Sequence, residues 1–255
     1  ETDIWLHDVT RGTKTPLSYD IPNTWRPSWS PDGDRIVFQS RDPAQNFKSD
    51  LYMQTTDGRS PPEPLVKTDA DEYGPHWSPD GKTILYTVTK PDGDRDLWML
   101  SLSDPKTPQP FLSTPFDERN PFFSPDGRYV AYQSNKSGRA EIYVTRFPDA
   151  EGEWMVSVDG GVSAQWLGGE IFYVDLETNT LMVAQARTYP AFHAELPRTV
   201  FSGESINAAL ATPGTFNYTV SSDGQRFVVV QQADAGETPK LTVVQNWSAE
   251  FKERE

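Results

Sequence analysis

One short motif recurs along this chain at nearly constant spacing, and that spacing limits the folds open to it. The three clearest copies are Pro27–Gly33 (PSWSPDG), Pro75–Gly81 (PHWSPDG) and Pro121–Gly127 (PFFSPDG). The aromatic residues at the third position of these copies lie 48 and 46 residues apart, and weaker copies follow at Ala164–Gly169 and Tyr218–Gly224. A repeat of this length is typical of proteins built by stacking one structural unit several times.

Each copy predicts a strand, a tight turn and a second strand. In Ser-Pro-Asp-Gly, the proline presets the first central turn position, the aspartate bonds back to the backbone and the glycine accepts a positive φ. An alternating apolar segment follows each turn, and then a third strand spelled acidic-aliphatic-aromatic, as in Asp50–Tyr52, Asp96–Trp98 and Glu141–Tyr143. A short fourth strand, such as Glu63–Leu65, completes the unit. Four antiparallel strands about every 45 residues indicate a β-propeller blade.

The fold predicted from this repeat is all-β, a β-propeller of four-stranded antiparallel blades that occupies residues 1–255 as one domain. Hairpins are expected to start near residues 28, 76, 122, 165 and 219. The segment Asp3–His7 reads as a third strand that precedes any hairpin, so the count is five blades plus a half blade. We therefore expect an incomplete or trans-completed six-bladed ring, part of a longer protein, with a homodimer as one way of completing the ring.

The motif W-S-P-D-G, followed by a strand and then D-L/I-Y/W, resembles the WD-repeat-like propellers of the TolB-like family. That resemblance implies a propeller acting as a periplasmic partner-binding domain, or as the cap of a prolyl-oligopeptidase-type hydrolase. The segment Leu241–Glu250 is similar to the end of propellers fused behind bacterial serine/threonine kinases. This second resemblance implies an extracytoplasmic sensor at the C-terminus of a receptor-kinase-like protein. Both resemblances imply a periplasmic or other extracytoplasmic location.

Charge and composition exclude several classes of function. The chain carries 23 Lys+Arg against 37 Asp+Glu, a formal net charge of −14, which disfavours a nucleic-acid partner. Cysteine is absent, so disulfides, thiolate metal sites and cysteine nucleophiles are ruled out. No apolar run approaches the roughly 20 residues of a membrane-spanning helix. Nucleophile-elbow, zinc-protease and kinase motifs are also missing from the sequence.

The segments just before each inner strand are the expected binding positions, because in a propeller they lie at the mouth of the central tunnel. Side chains there can form hydrogen bonds or aromatic contacts with a protein, a peptide or a small-molecule ligand. The predicted ligand-binding residues are Asn23, Trp25, Arg26, Tyr73, Arg119, Asn120 and Asn217. On this interpretation the chain is a binding module.

Carboxylates in two of these segments support an alternative interpretation. Carboxylate and amide oxygens suit a hard divalent cation such as calcium, and a histidine could add a ligand. The predicted metal ligands are Asp71, Glu72, His76, Asp117 and Glu118. With His76 and Asp71 as catalytic residues, such a site could hydrolyse esters, lactones or phosphotriesters. The simpler explanation is that the surface loops of an acidic protein contain carboxylates, so both functions stay open at this stage.

Overall fold

The structure is a computed structural model that describes residues 3–8, 10–18, 21–45, 47–212, 215–221, 224, 226–231 and 241–245. It divides into two compact units, Glu1–Phe123 and Ser124–Glu255. Within the described residues, regular structure is β apart from two short 3₁₀ turns at Pro43–Gln45 and Glu204–Ile206. Within the described part of the chain, no helix is long and apolar enough to cross a membrane.

The first unit is a series of antiparallel sheets. Strands β1 (Trp5–Asp8) and β2 (Thr13–Pro16) pair as a two-stranded sheet, which matches the predicted half blade. The next sheet has the order β3 (Thr24–Trp29), β4 (Arg35–Asp42), β5 (Lys48–Thr55) and β6 (Glu63–Val66). The sheet after it repeats that order with β7 (Glu72–Trp77), β8 (Thr83–Thr89), β9 (Arg95–Ser101) and β10 (Gln109–Leu112). Strand β11 (Arg119–Phe123) ends the unit.

The second unit continues in the same way. Strands β12 (Tyr129–Ser134), β13 (Glu141–Arg146) and β14 (Glu153–Met155) pair in sequence. A larger sheet follows, built from β15 (Val162–Leu167), β16 (Glu170–Asp175), β17 (Thr180–Arg187), β18 (His193–Ala194) and β19 (Arg198–Ser202). Strands β20 (Ala211–Thr212) and β21 (Thr215–Phe216) form a small pair. The last sheet has the order β22 (Tyr218–Val220), β23 (Arg226–Val230) and β24 (Leu241–Gln245).

The Ser-Pro-Asp-Gly turns have the predicted geometry. In the second repeat, Gly81 has φ +68° and its N–H donates to the Ser78 carbonyl oxygen at 2.9 Å. The Asp80 carboxylate accepts from the Lys82 N–H at 3.1 Å. The Ser78 hydroxyl makes two further hydrogen bonds that the sequence did not predict. It donates to Asp80 at 2.6 Å and accepts from the Thr83 N–H at 2.9 Å. The conserved spelling of the repeat is therefore explained by turn structure.

The acidic residue that opens each third strand also has a structural role. Asp50, Asp96 and Glu141 are all buried. Each carboxylate is held by a nearby cation: Lys48 lies 3.0 Å from Asp50, Lys90 lies 3.1 Å from Asp96 and Arg139 lies 2.8 Å from Glu141. Buried carboxylates need such partners, which accounts for an acidic residue in this slot.

Apolar side chains pack between consecutive sheets. In the first unit, Leu51 and Val66 of one sheet cluster with Tyr86 and Leu100 of the next. Trp77 packs in the same manner against Val37 of the preceding sheet and is 3% exposed. This face-to-face stacking of four-stranded sheets is blade packing, and it confirms the β-propeller prediction.

The observed strands differ from the sequence analysis in two details. The inner strands β3, β7, β11 and β15 begin about three to four residues before the predicted hairpin starts. Strands β14 and β18 were not predicted. Residues 246–250 of the segment that resembles kinase-linked propellers lie outside the described residues. The prediction of one domain over residues 1–255 stays a prediction.

Candidate functional site

A β-bulge interrupts three of the inner strands, β3, β7 and β15, near their beginning. The pairing register shifts between Trp25 and Ser28 in β3, between Tyr73 and His76 in β7, and between Val162 and Gln165 in β15. One residue in each shift has a left-handed backbone, with φ of +52° at Arg26, +62° at Gly74 and +61° at Ser163, and Asn120 in β11 has φ +56°. Such a conformation is unusual for residues other than glycine and re-aims the side chain of the bulged residue.

Three of these left-handed positions meet in the first unit. The Arg26 Nη1 atom donates a hydrogen bond to Asn120 Oδ1 at 2.7 Å. Gly74 lies beside that bond, and a Cβ added there would be 3.1 Å from Arg26 Nη1 and 3.6 Å from Asn120 Oδ1. The absence of a side chain at Gly74 therefore lets the guanidinium of Arg26 extend from β3 across β7 to β11.

Around this bond lies a group that we call the arginine cluster, consisting of Arg26, Arg41, Tyr73, Arg95, Asp117 and Arg119. Arg95 Nη1 lies 3.1 and 3.0 Å from the two carboxylate oxygens of Asp117, and Arg119 Nη2 lies 3.3 Å from one of them. The guanidinium carbons of Arg26 and Arg95 lie 5.8 and 5.9 Å from the centre of the Tyr73 ring. Arg26 and Arg95 thus flank the Tyr73 ring, Arg95 and Arg119 contact the Asp117 carboxylate, and Arg41 lies over Trp25 within electrostatic reach of Arg26.

The electrostatics of the cluster follow from burial and from like charges. Burial lowers the pKa of Arg26 to about 10. Tyr73 acts in the opposite direction, whereas the positive charges of Arg119, Arg41 and Arg95 lower the pKa further. Burial also raises the pKa of Tyr73, although Arg95 and Arg119 act in the opposite direction. Arg26 still carries its charge at neutral pH, and a further negative charge nearby would relieve the repulsion among the arginines.

The predicted metal ligands Asp71 and Asp117 occupy equivalent loops but make different contacts. Asp71 Oδ1 accepts a hydrogen bond from the Ser49 N–H at 2.8 Å, which ties the loop to the preceding sheet. Asp117 belongs to the arginine cluster through Arg95. One carboxylate therefore supports the backbone and the other compensates positive charge.

The adjacent glutamates are buried rather than exposed in loops. Glu72 is 1% exposed and accepts a hydrogen bond from the Thr68 hydroxyl. Glu118 is 2% exposed and accepts one from the Thr114 hydroxyl at 2.5 Å. In both repeats the threonine lies four residues before the glutamate, so the pair is a recurring element of the loop.

The His76 ring packs against the Phe122 ring at an interplanar angle of 38°, with ring centres 3.8 Å apart. Its Nδ1 atom accepts a hydrogen bond from the Phe123 N–H at 3.3 Å, and burial lowers its pKa to about 3. The imidazole is neutral and links β7 to β11. Among the described residues, no three or more His, Asp or Glu side chains gather as metal ligands. The calcium site and the catalytic role of His76 and Asp71 therefore stay predictions.

The remaining predicted ligand-binding residues lie at several places. Asn23 precedes β3 and exchanges hydrogen bonds with the backbone of Arg41, at 3.0 and 3.4 Å. Trp25 is half-buried, and the Arg41 guanidinium carbon lies 5.8 Å from its ring centre. Asn217 belongs to the second unit, where its Nδ2 donates to the Ala209 carbonyl oxygen at 2.9 Å. Most of these residues lie in strands rather than in the loops where the sequence placed them.

Arg41 and Arg95 were missed by the sequence analysis. Arg41 lies near the end of β4 and Arg95 begins β9, whereas the predicted binding residues all belong to the segments at the start of inner strands. Antiparallel pairing brings the start of an inner strand, the end of the second strand and the start of the third strand to one sheet edge. A search of all three positions in each repeat would have identified both arginines.

The stacked four-stranded sheets define a β-propeller fold. The structure is similar to the crystal structure of TolB from Acinetobacter baumannii, with a TM-score of 0.70 and 17% identity, over 94% of this chain and 56% of that chain. It is similarly close to a putative TolB from Agrobacterium tumefaciens, with a TM-score of 0.69 and 16% identity, over 94% of this chain and 83% of that one. This chain thus spans little more than half of the Acinetobacter protein.

The same fold occurs in proteins with other roles. Hydrazine synthase from Kuenenia stuttgartiensis matches with a TM-score of 0.68 and 13% identity, over 97% of this chain and 40% of that one. No family model and no curated protein matches the sequence. At these identities the likeness establishes the fold, and function has to be argued from the site.

Proposed function

We propose that this chain is a binding module that recognises a segment of a protein or peptide partner through the arginine cluster and Trp25. The observation that carries the proposal is the convergence of Arg26, Gly74 and Asn120, three left-handed positions from consecutive inner strands, at one place. Left-handed residues other than glycine cost free energy and persist where the surrounding structure holds them, commonly at functional sites. Tyrosine, tryptophan and arginine are also the side chains that most often anchor protein interfaces.

The proposal includes a cellular setting. TolB-like propellers, by the resemblance described above, act outside the cytoplasm, and we infer a periplasmic or extracytoplasmic location for this one. Attachment behind a receptor-like kinase and completion of the ring by a second copy of the chain belong to the same proposal. A single chain mass by light scattering at high protein concentration would count against the homodimer.

The hydrolase alternative is not adopted, since no observation favours it. Its proposed ligands Asp71 and Asp117 are engaged with Ser49 and Arg95, and its proposed base His76 uses Nδ1 to accept a hydrogen bond. Metal analysis of the purified protein and assays of activated esters with and without chelator test this alternative. Turnover that depends on a cation would support the hydrolase function.

Panning a random peptide library against the full chain tests the binding function. We expect recurrent peptide sequences to be selected, and we expect Trp25→Ala to weaken their binding about tenfold or more. Trp29→Ala is the matched control, because Trp29 lies at the opposite end of the same strand and is half exposed. Failure to enrich any sequence, or equal losses from the two substitutions, would contradict the proposal.

A further inference from the structure

The arginine cluster concentrates positive charge in an acidic protein. The chain as a whole has a net charge of −14, yet Arg41, Arg95 and Arg119 all lie close enough to Arg26 to act on its charge, and the carboxylate that Arg95 and Arg119 contact is Asp117. Like charges at this separation repel one another, and the repulsion grows where burial reduces screening by water. A site of this sign attracts anions against the field of the remaining surface.

The bonding within the cluster orients the arginines. Arg95 and Arg119 both lie against Asp117, at 3.0 and 3.3 Å. Arg26 is held by the amide oxygen of Asn120, a neutral acceptor that fixes the guanidinium without adding negative charge. A preorganised guanidinium loses less side-chain entropy when it binds a carboxylate. A guanidinium binds a carboxylate through two parallel hydrogen bonds.

Three arginines of the cluster are accessible to solvent, and two of its buried polar atoms lack an ordinary hydrogen bond among the described residues. The side chains of Arg95 and Arg119 are 31% and 29% exposed, and Arg41 is exposed. The Arg95 side chain and the Tyr73 hydroxyl interact with each other, but the buried Arg95 Nε atom and the buried Tyr73 hydroxyl make no hydrogen bond of ordinary geometry within the described part of the chain. Buried polar atoms in this condition are unusual and indicate a place for an additional partner.

From this geometry we propose that the arginine cluster is a carboxylate-binding site, so that the partner segment recognised by the module is acidic. The carboxylate comes either from aspartate and glutamate side chains or from the C-terminus of a partner chain. The aromatic rings of Tyr73 and Trp25 beside the arginines suit a peptide, which offers apolar side chains next to its charge. The inference rests on the proposed binding function and adds the chemistry of the ligand.

Titration calorimetry on the full chain with three synthetic peptides tests the site. The first is an acetylated and amidated pentapeptide of aspartates, the second a glycine–serine pentapeptide with a free C-terminal carboxylate, and the third the amide of the second. We expect the first or the second to bind at low salt, the third to remain unbound, and affinity to fall as salt is added. Binding of the first assigns the site to side-chain carboxylates, and binding of the second assigns it to a chain terminus.

Three variants test where binding occurs. Arg26→Gln and Arg41→Gln are each expected to weaken binding about tenfold or more. Arg41 is exposed and makes no side-chain hydrogen bond to Asn120, so its substitution separates binding from folding if Arg26→Gln unfolds the protein. Arg59→Gln is the control, because Arg59 is 87% exposed in the turn after β5, away from the cluster.

The outcomes separate this proposal from the broader one. Absence of binding by both carboxylate peptides, or equal losses from the Arg41 and Arg59 substitutions, would overturn the carboxylate site. Selection of neutral library peptides whose affinity is unchanged by Arg41→Gln would overturn it while leaving the binding function intact. Failure of the library selection itself would remove the broader function.

Discussion

The indole N–H of Trp77 donates a hydrogen bond to the carbonyl oxygen of Ser28 at 3.1 Å, and so links the inner strand of one blade to the inner strand of the preceding blade. Trp29 occupies the same position in the preceding repeat, but it is 50% exposed while Trp77 is 3% exposed. The sheet that precedes Trp29 has two described strands, β1 and β2, and neither is an inner strand. The same residue in the same motif therefore has two environments.

We expect Trp77→Ala to lower the free energy of unfolding by about 3–5 kcal/mol, because it leaves a large cavity between two sheets. Trp77→Phe keeps much of the buried area and loses the hydrogen bond, so it should cost about 1 kcal/mol beyond the lost volume. Trp29→Ala should cost less than half as much as Trp77→Ala. Denaturant unfolding of the variants measures the differences, and equal costs for both alanine variants would contradict this account of blade packing.

Gly74→Ala should impair the arginine cluster beyond its effect on the backbone. Gly74 has φ +62°, and the new methyl group would lie 3.1 Å from Arg26 Nη1. Gly58→Ala is the matched control, since Gly58 has φ +66° and nothing within 4 Å of the added atom. Both should lose about 1 kcal/mol of stability from the left-handed conformation. Only Gly74→Ala should weaken binding of library-selected peptides, and a similar loss in Gly58→Ala would refute the role of the contact.

Asp117→Asn should destabilise the protein by about 1–3 kcal/mol, because it removes a largely buried carboxylate from between two arginines. The exposed pair of Asp57 and Arg59, 3.6 Å apart, provides the comparison. Asp57→Asn should change stability by less than about 1 kcal/mol. Thermal unfolding at low and high salt distinguishes the two positions. Comparable effects from both substitutions would show that Asp117 does not compensate the arginine cluster.

Glu72 should make stability depend on pH in the neutral range. Burial raises its pKa to about 7 from the ordinary value of 4.5, against the opposing hydrogen bond from Thr68. The folded state therefore holds the proton more tightly than the unfolded state, and this contribution to stability is complete below about pH 4.5 and is lost as pH rises through 7. The expected loss is on the order of 1–3 kcal/mol.

Glu72→Gln stays neutral and should remove this part of the slope between pH 5 and pH 8.5. Glu63→Gln, at an exposed position of β6, should leave the slope as it is in the parent protein. Urea unfolding at both pH values makes the comparison. An unchanged slope in Glu72→Gln would mean that another group is responsible.

The sequence was sufficient for the blades because turn chemistry and period-2 patterning are local. Ser78, Asp80 and Gly81 each have a role in the turn that only a few residue types can fill, so the motif could be recognised in the sequence. The bulges were not, since Arg26, Gly74, Asn120 and Ser163 share a backbone conformation without sharing a residue type. No pattern of residues marks a position that is defined by φ alone.

The sequence indicated only some residues of the candidate site, for a similar reason. Trp25, Arg26, Tyr73, Arg119 and Asn120 were found because they lie close to the repeated motif in sequence. Residue type gave no information on burial, so Glu72 and Glu118 looked like exposed metal ligands although they are almost fully enclosed. Arg95 reaches the cluster through strand pairing, a relationship that the motif itself does not contain.

The inner-strand bulge has a consequence for how specificity can change. The extra residue is absorbed by the backbone, so strand pairing resumes beyond it whether the bulged residue is arginine, glycine or serine. In these three sheets the bulged position accordingly accommodates different residue types without a shift of the hairpin that follows it. Under the proposed binding function, exchange of single residues at these positions would change the ligand preference while the scaffold stays the same.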